Sequence, residues 1–69
     1  MAEDTVARIT EISAQSRQGF EEAIRVGLRR AQNTLRNVTS AWIKEQRVVV
    51  EGDSLTFQVN MQVTFVLEE

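Results

Sequence analysis

The chain has no histidine, cysteine or tyrosine, so the groups able to take or give a proton are carboxylates, Lys44 and the arginines, a thin set for acid–base work. Nucleophilic triads built on histidine or cysteine are excluded, as are disulfides and zinc centres with nitrogen or sulfur ligands. Paired carboxylates occur at Glu21-Glu22 and at Glu68-Glu69. The first suits the positive end of a helix dipole and the second a chain end, so the chain is not expected to be an enzyme. Carboxylate, amide and backbone oxygens could hold only hard cations. The turn Glu51-Gly52-Asp53 is too short and too poor in acids to resemble an EF-hand loop, so any such ion would sit between subunits. Amide groups gather at Gln58, Asn60 and Gln62, all within one stretch near the C-terminus.

That stretch, Leu55 to Leu67, reads LTFQVNMQVTFVL. Its seven odd positions are all apolar, and its even positions are Thr56, Gln58, Asn60, Gln62 and Thr64 before the pattern breaks at Val66. Period two predicts a strand with one apolar face and one amide- and hydroxyl-bearing face. At ~3.3 Å per residue it reaches roughly 40 Å, longer than a usual strand. A length of 69 residues predicts a single domain, residues 1–69. A chain this small rarely gains more than ~3–5 kcal/mol from its own core unless something staples it. Without disulfide or zinc, the expected staple is association with copies of itself.

The net charge of −2, from 8 basic and 10 acidic residues, gives no electrostatic reason to expect a nucleic-acid or anionic-membrane partner. The arginines Arg25, Arg29 and Arg36, with Arg17 and Arg30 nearby, are interrupted by Glu21 and Glu22, and that face has no aromatic residues on which bases could stack. Ion pairs between subunits or a charged outer shell are the expected use. No apolar run approaches the ~20 residues of a membrane span, and MAEDTVAR lacks the layout of a signal peptide, so a cytoplasmic protein is expected.

Taken in order, the β-branched residues of Asp4–Ser13 predict a first strand, whose imperfect alternation fits either a sheet edge or one face against a neighbouring subunit. Ser16 is placed as the cap of a helix, with Glu21 and Glu22 in its first turn. Phe20, Ala23, Ile24, Gly27, Ala31, Leu35 and Val38 form its apolar stripe, and Glu21, Arg25, Arg29, Gln32 and Arg36 the opposite face. Gly27, costly in mid-helix, marks close approach by another element's backbone. Thr39-Ser40 ends the helix, Ala41–Val50 forms a second strand, and Glu51-Gly52-Asp53-Ser54 turns it into the last. The fold class is α+β: strand, helix, strand, strand, with one long helix on a three-stranded antiparallel sheet. The odd residues of the last strand face the helix. Gln58, Asn60, Gln62 and Thr64 face away.

That order, compressed into about 70 residues and ending in a long alternating strand, resembles the dodecins. The likeness runs through Ser16 to Ile24 (SRQGFEEAI), Arg30-Ala31 with Thr34 and Leu35, and Phe57-Gln58-Val59 through Val63, Phe65, Leu67 and Glu68. It implies a hollow homododecamer whose sheets line the interior and whose subunits hold pairs of flavins (FMN, riboflavin or FAD) between them, for storage rather than catalysis. Gln58 matches the glutamine that hydrogen-bonds the isoalloxazine edge. Arg47 matches an arginine that in some relatives helps bind a phosphate tail, with Glu45 and Gln46 at neighbouring binding-site positions. The hairpin is about one residue shorter than in the commoner flavin-binding pattern.

The chain departs from the family where a tryptophan on the second strand should stack on the flavin ring. An ungapped match to Lys44-Glu45-Gln46-Arg47 puts Ser40 there, and Trp42 falls two residues later, on the same strand face but displaced by ~6–7 Å. Either Trp42 is a displaced stacking platform, or the chain resembles the dodecin-like shells without flavin, some of which bind calcium. Trp42 also fits a subunit interface without any ligand, where tryptophan is common.

Overall fold

A computed structural model describes residues 4–67; Glu68 and Glu69, read above as a carboxylate pair, lie outside them. The elements are β1 (Ala7–Ser16), α1 (Phe20–Thr34), β2 (Val38–Glu51) and β3 (Ser54–Val66). The sheet is antiparallel in the order β1-β3-β2. The alternating strand is thus its centre and β1 is an edge, one of the two positions its imperfect alternation fits.

The odd residues of β3 do face the helix: Val59, Met61 and Val63 are fully buried. The ends escape, with Leu55 and Leu67 both exposed. Lengths explain this, because a helix of 15 residues covers roughly 22 Å at ~1.5 Å per residue, about half of what β3 spans. The helix lies on one face of the sheet as expected, packs on β1 and β3 and leaves most of β2 uncovered. Among the described residues the buried core is small: Ala14, Ala23, Ala31, Val59, Met61 and Val63. Phe20 closes one end of it by an edge-to-face contact with Phe57, centroids 5.1 Å apart.

Several boundaries differ from expectation. β1 runs on to Ser16 because β3 is long enough to pair with it, Ser16 lying opposite Phe57. Ser16 therefore does not cap the helix; its Oγ accepts the Gln18 N–H at 3.0 Å. Gly19 occupies the capping position at φ 155° and ψ 174°, a conformation that favours glycine, and lends no side chain to the cap. Glu21 and Glu22 sit in the first turn as expected, and Arg25 donates to Glu21 at 2.7 Å. That carboxylate raises the Arg25 pKa above its ordinary value. The pair is exposed and one turn apart, so it adds little to stability.

The helix stops at Thr34, not at Thr39-Ser40. Leu35 turns extended while its N–H still reaches the Ala31 carbonyl at 2.8 Å, and Asn37 takes φ 62°, a left-handed conformation that asparagine tolerates. Arg36 thus lies in the corner after the helix, and Thr39 and Ser40 lie in β2. Leu35 and Val38 still pack against the core. At the other end of β2, Glu51 pairs with Ser54 across the two-residue loop Gly52-Asp53, with Gly52 at φ 59°, the glycine-led hairpin turn the sequence indicates.

Gly27 is buried against side chains of the sheet rather than its backbone. A Cβ there would lie 2.5 Å from Met61 Cε and 3.0 Å from Ala14 Cβ. Met61 is enclosed on all sides and Ala14 has no rotamer to change, so Gly27→Ala is expected to destabilise. Overpacking costs about 1–3 kcal/mol and outweighs the ~1 kcal/mol gained in helix propensity. Thermal melts of the two proteins check this; an unchanged or higher midpoint would contradict it.

Candidate functional site

The open face of the sheet, opposite the helix, carries the polar chemistry. Residues directly opposite in an antiparallel pair share a face, and the register assigns β2 and β1 accordingly. Ser40 pairs with Thr64, Trp42 with Gln62, Glu45 with Asn60 and Arg47 with Gln58. From the other side Glu11 pairs with Gln62, Ser13 with Asn60 and Gln15 with Gln58.

Strict alternation along β2 would have put Trp42 on the face of Lys44 and Gln46. A register shift between Ile43 and Glu45 inserts Lys44 as an extra residue, and this bulge reverses the parity. It brings Glu45 and Arg47 onto the face of Ser40 and Trp42. Gln46 pairs with buried Val59 and so belongs to the helix-side face, where it is exposed because the helix does not reach it.

Glu45, Gln46, Arg47, Gln58 and Asn60 line a shallow hollow of about 290 Å³. Arg47 Nε donates to Gln58 Oε1 at 2.7 Å, and Gln58 Nε2 donates to Ser13 Oγ at 2.8 Å. Next along β3, Asn60 Nδ2 donates to Glu45 Oε1 at 3.2 Å, and Asn60 Oδ1 is buried without a partner among the described residues. A buried carbonyl oxygen left unpaired carries a free-energy cost that an added donor or cation would relieve. A larger hollow, about 530 Å³, lies between β1 and α1 around Ile12, Val26, Gly27, Ala31 and Leu35, and Ser13 and Arg30 also line it.

Trp42 is 66% exposed. It stands opposite Gln62, four residues from Gln58, and hence roughly 13 Å from it along the strand. Ser40 is farther still. The structure therefore brings Gln58, Arg47 and Glu45 together and leaves Trp42 and Ser40 apart from them within one chain. Ser13 was not legible as a site residue, because its role depends on a pairing 45 residues distant. Asn60 was legible as a member of the polar face, by alternation alone. Among the described residues no three acidic side chains gather to hold a metal ion, and no helix is long and apolar enough to cross a membrane.

A single helix laid on one face of a three-stranded antiparallel sheet, with the other face open and lined with amides, defines a small α+β module. The dodecin family model matches residues 6–68, and the chain belongs to the dodecin family. It is similar to the dodecin from Streptomyces davaonensis, 34% identical with a TM-score of 0.91, over 97% of this chain and 100% of that one. A variant of the Thermus thermophilus dodecin is 33% identical with a TM-score of 0.91, over 96% of this chain and 100% of that one. The fold is shared with a calcium dodecin from Mycobacterium tuberculosis, described as a calcium-chelating antigen, at 22% identity and a TM-score of 0.84 over 93% of each chain. No curated protein matches the chain.

Proposed function

We propose that this protein is a non-catalytic holder of flavin that works as a homododecamer in the cytoplasm. The observation that carries the reading is the Gln58 amide, held on the central strand of an open polar face with Arg47 and Glu45 beside it, in a chain of the dodecin family. Self-assembly is supported by what the helix leaves bare. The uncovered flank of β2 and the hairpin exposes Ile43, Val48, Val50 and Leu55. The chain's surface of 5341 Å² exceeds the ~4,400 Å² expected of a compact monomer of its mass. The excess is comparable to one side of a standard protein interface, ~800 Å².

Assembly also answers the separation of Trp42 from Gln58. A pocket between subunits brings Trp42 of one copy to a ring held by Gln58 of another. Trp42 then stacks on the ring face in place of the aromatic residue missing at Ser40, and Gln58 meets the ring edge.

The second reading is a flavin-free shell binding a hard cation such as calcium. It is favoured by Ser40 and by the unpaired Asn60 Oδ1 beside the Glu45 carboxylate. Titration of riboflavin, followed by its fluorescence, separates the two. Quenching with a saturable isotherm is expected, weakened about tenfold or more in Gln58→Ala while the native mass and melting temperature hold. Absence of quenching in the unaltered protein would remove the flavin reading.

A further inference from the structure

We propose that Ser13 and Arg47 are positioning residues that clamp the Gln58 amide from both sides and so set the order in which the site shows donor and acceptor to a ring edge; this rests on the reading of the site as a flavin site. A glutamine on a sheet face ordinarily has several rotamers, and its amide can present either end, so ordering it costs up to ~2 kcal/mol of side-chain entropy. Here the ends are not interchangeable. A guanidinium only donates, so the group 2.7 Å from Arg47 Nε must be the carbonyl oxygen Oε1. Nε2 then turns toward β1, where the Ser13 hydroxyl accepts it at 2.8 Å. The clamp spans all three strands: Arg47 from β2, Gln58 from β3 and Ser13 from β1, the last reached diagonally because Ser13 stands opposite Asn60.

An amide has two N–H groups and two carbonyl lone pairs. The clamp uses one of each and leaves one of each for a ligand, always with the oxygen on the β2 side. The complementary partner is a planar ring edge carrying an N–H beside a carbonyl, the imide type of edge that a flavin has at N3. Arg47 in this arrangement acts on affinity through Gln58, whether or not the ligand has a phosphate.

The test uses the assembled protein in four forms: unaltered, Ser13→Ala, Ser13→Thr and Arg47→Lys. Ligand-free crystal structures report the Gln58 amide, and fluorescence titrations compare riboflavin, which has no phosphate, with N3-methylriboflavin, which has no imide N–H. Ser13→Ala is expected to let Gln58 adopt more than one orientation and to weaken riboflavin about three- to tenfold, the range for one neutral hydrogen bond. The N3-methyl analogue should bind weakly to all forms and change little. Ser13→Thr, which keeps the hydroxyl, should restore both the single orientation and the affinity. Arg47→Lys should weaken riboflavin although there is no phosphate to lose. A Gln58 amide equally fixed in Ser13→Ala, or riboflavin affinity unchanged in Ser13→Ala and Arg47→Lys, would overturn the clamp. If the unaltered protein binds no riboflavin, the flavin reading fails, and the Gln58 orientation in the ligand-free crystals still decides the clamp.

Discussion

Replacing Val63 with aspartate is expected to leave no folded protein. Val63 is fully buried in the middle of β3, opposite Thr10 on β1 and Ala41 on β2. The new carboxylate would have no water and no cation among the apolar groups of the core, and an uncompensated buried charge costs several kcal/mol. A core of this size supplies no more than ~3–5 kcal/mol by itself, so the loss exceeds the reserve. Circular dichroism and solubility check the outcome. The contrast with Gln58→Ala, five residues away on the other face of the same strand, is the informative part. Equal damage from the two would mean that the faces of β3 are reversed.

The second large effect is expected at Val48, on the flank of β2 that the helix leaves uncovered. Val48 pairs with Phe57 and is 40% exposed in the single chain. An aspartate there would be tolerable in an isolated molecule, because the charge could stay hydrated. If Ile43, Val48, Val50 and Leu55 are covered by another copy, the same charge becomes desolvated at the contact. Val48→Asp is then expected to break the assembly and, with it, most of the resistance to heat. Native mass and melting temperature measured together check this. A variant that keeps both would show that the flank is ordinary solvated surface.

How far the sequence could be read depended on how far apart the interacting residues were. The face assignment of β3 needs only the alternation within Leu55–Leu67, and it was legible to the residue through the buried centre. Helix ends depend on local backbone conformation. Ser16 looked like a cap because serine at that spacing usually is one, and only the pairing of Ser16 with Phe57 makes it a strand residue. The left-handed Asn37 ends α1 five residues before Thr39, although no glycine or proline marks the place. The bulge at Lys44 has no fixed sequence sign, yet it decides which of Glu45, Gln46 and Arg47 share the face of Gln58. That Gln58 lies on the open face followed from period two. That it is clamped by Ser13 followed from nothing local, because the register between β1 and β3 is set by the whole sheet. The failure of the helix to cover β2 is a matter of comparing lengths across the fold.

The central claim is that copies of this chain cover one another's bare sheet flanks and hold flavin between them. The most direct test is sedimentation of the protein with riboflavin at micromolar concentration, followed in the visible absorption band of the flavin. The flavin absorbance is expected to sediment with a particle near twelve times the 7.9 kDa chain mass. A folded, heat-resistant particle of about one chain's mass, or a large particle that leaves the flavin absorbance behind in solution, would contradict the account.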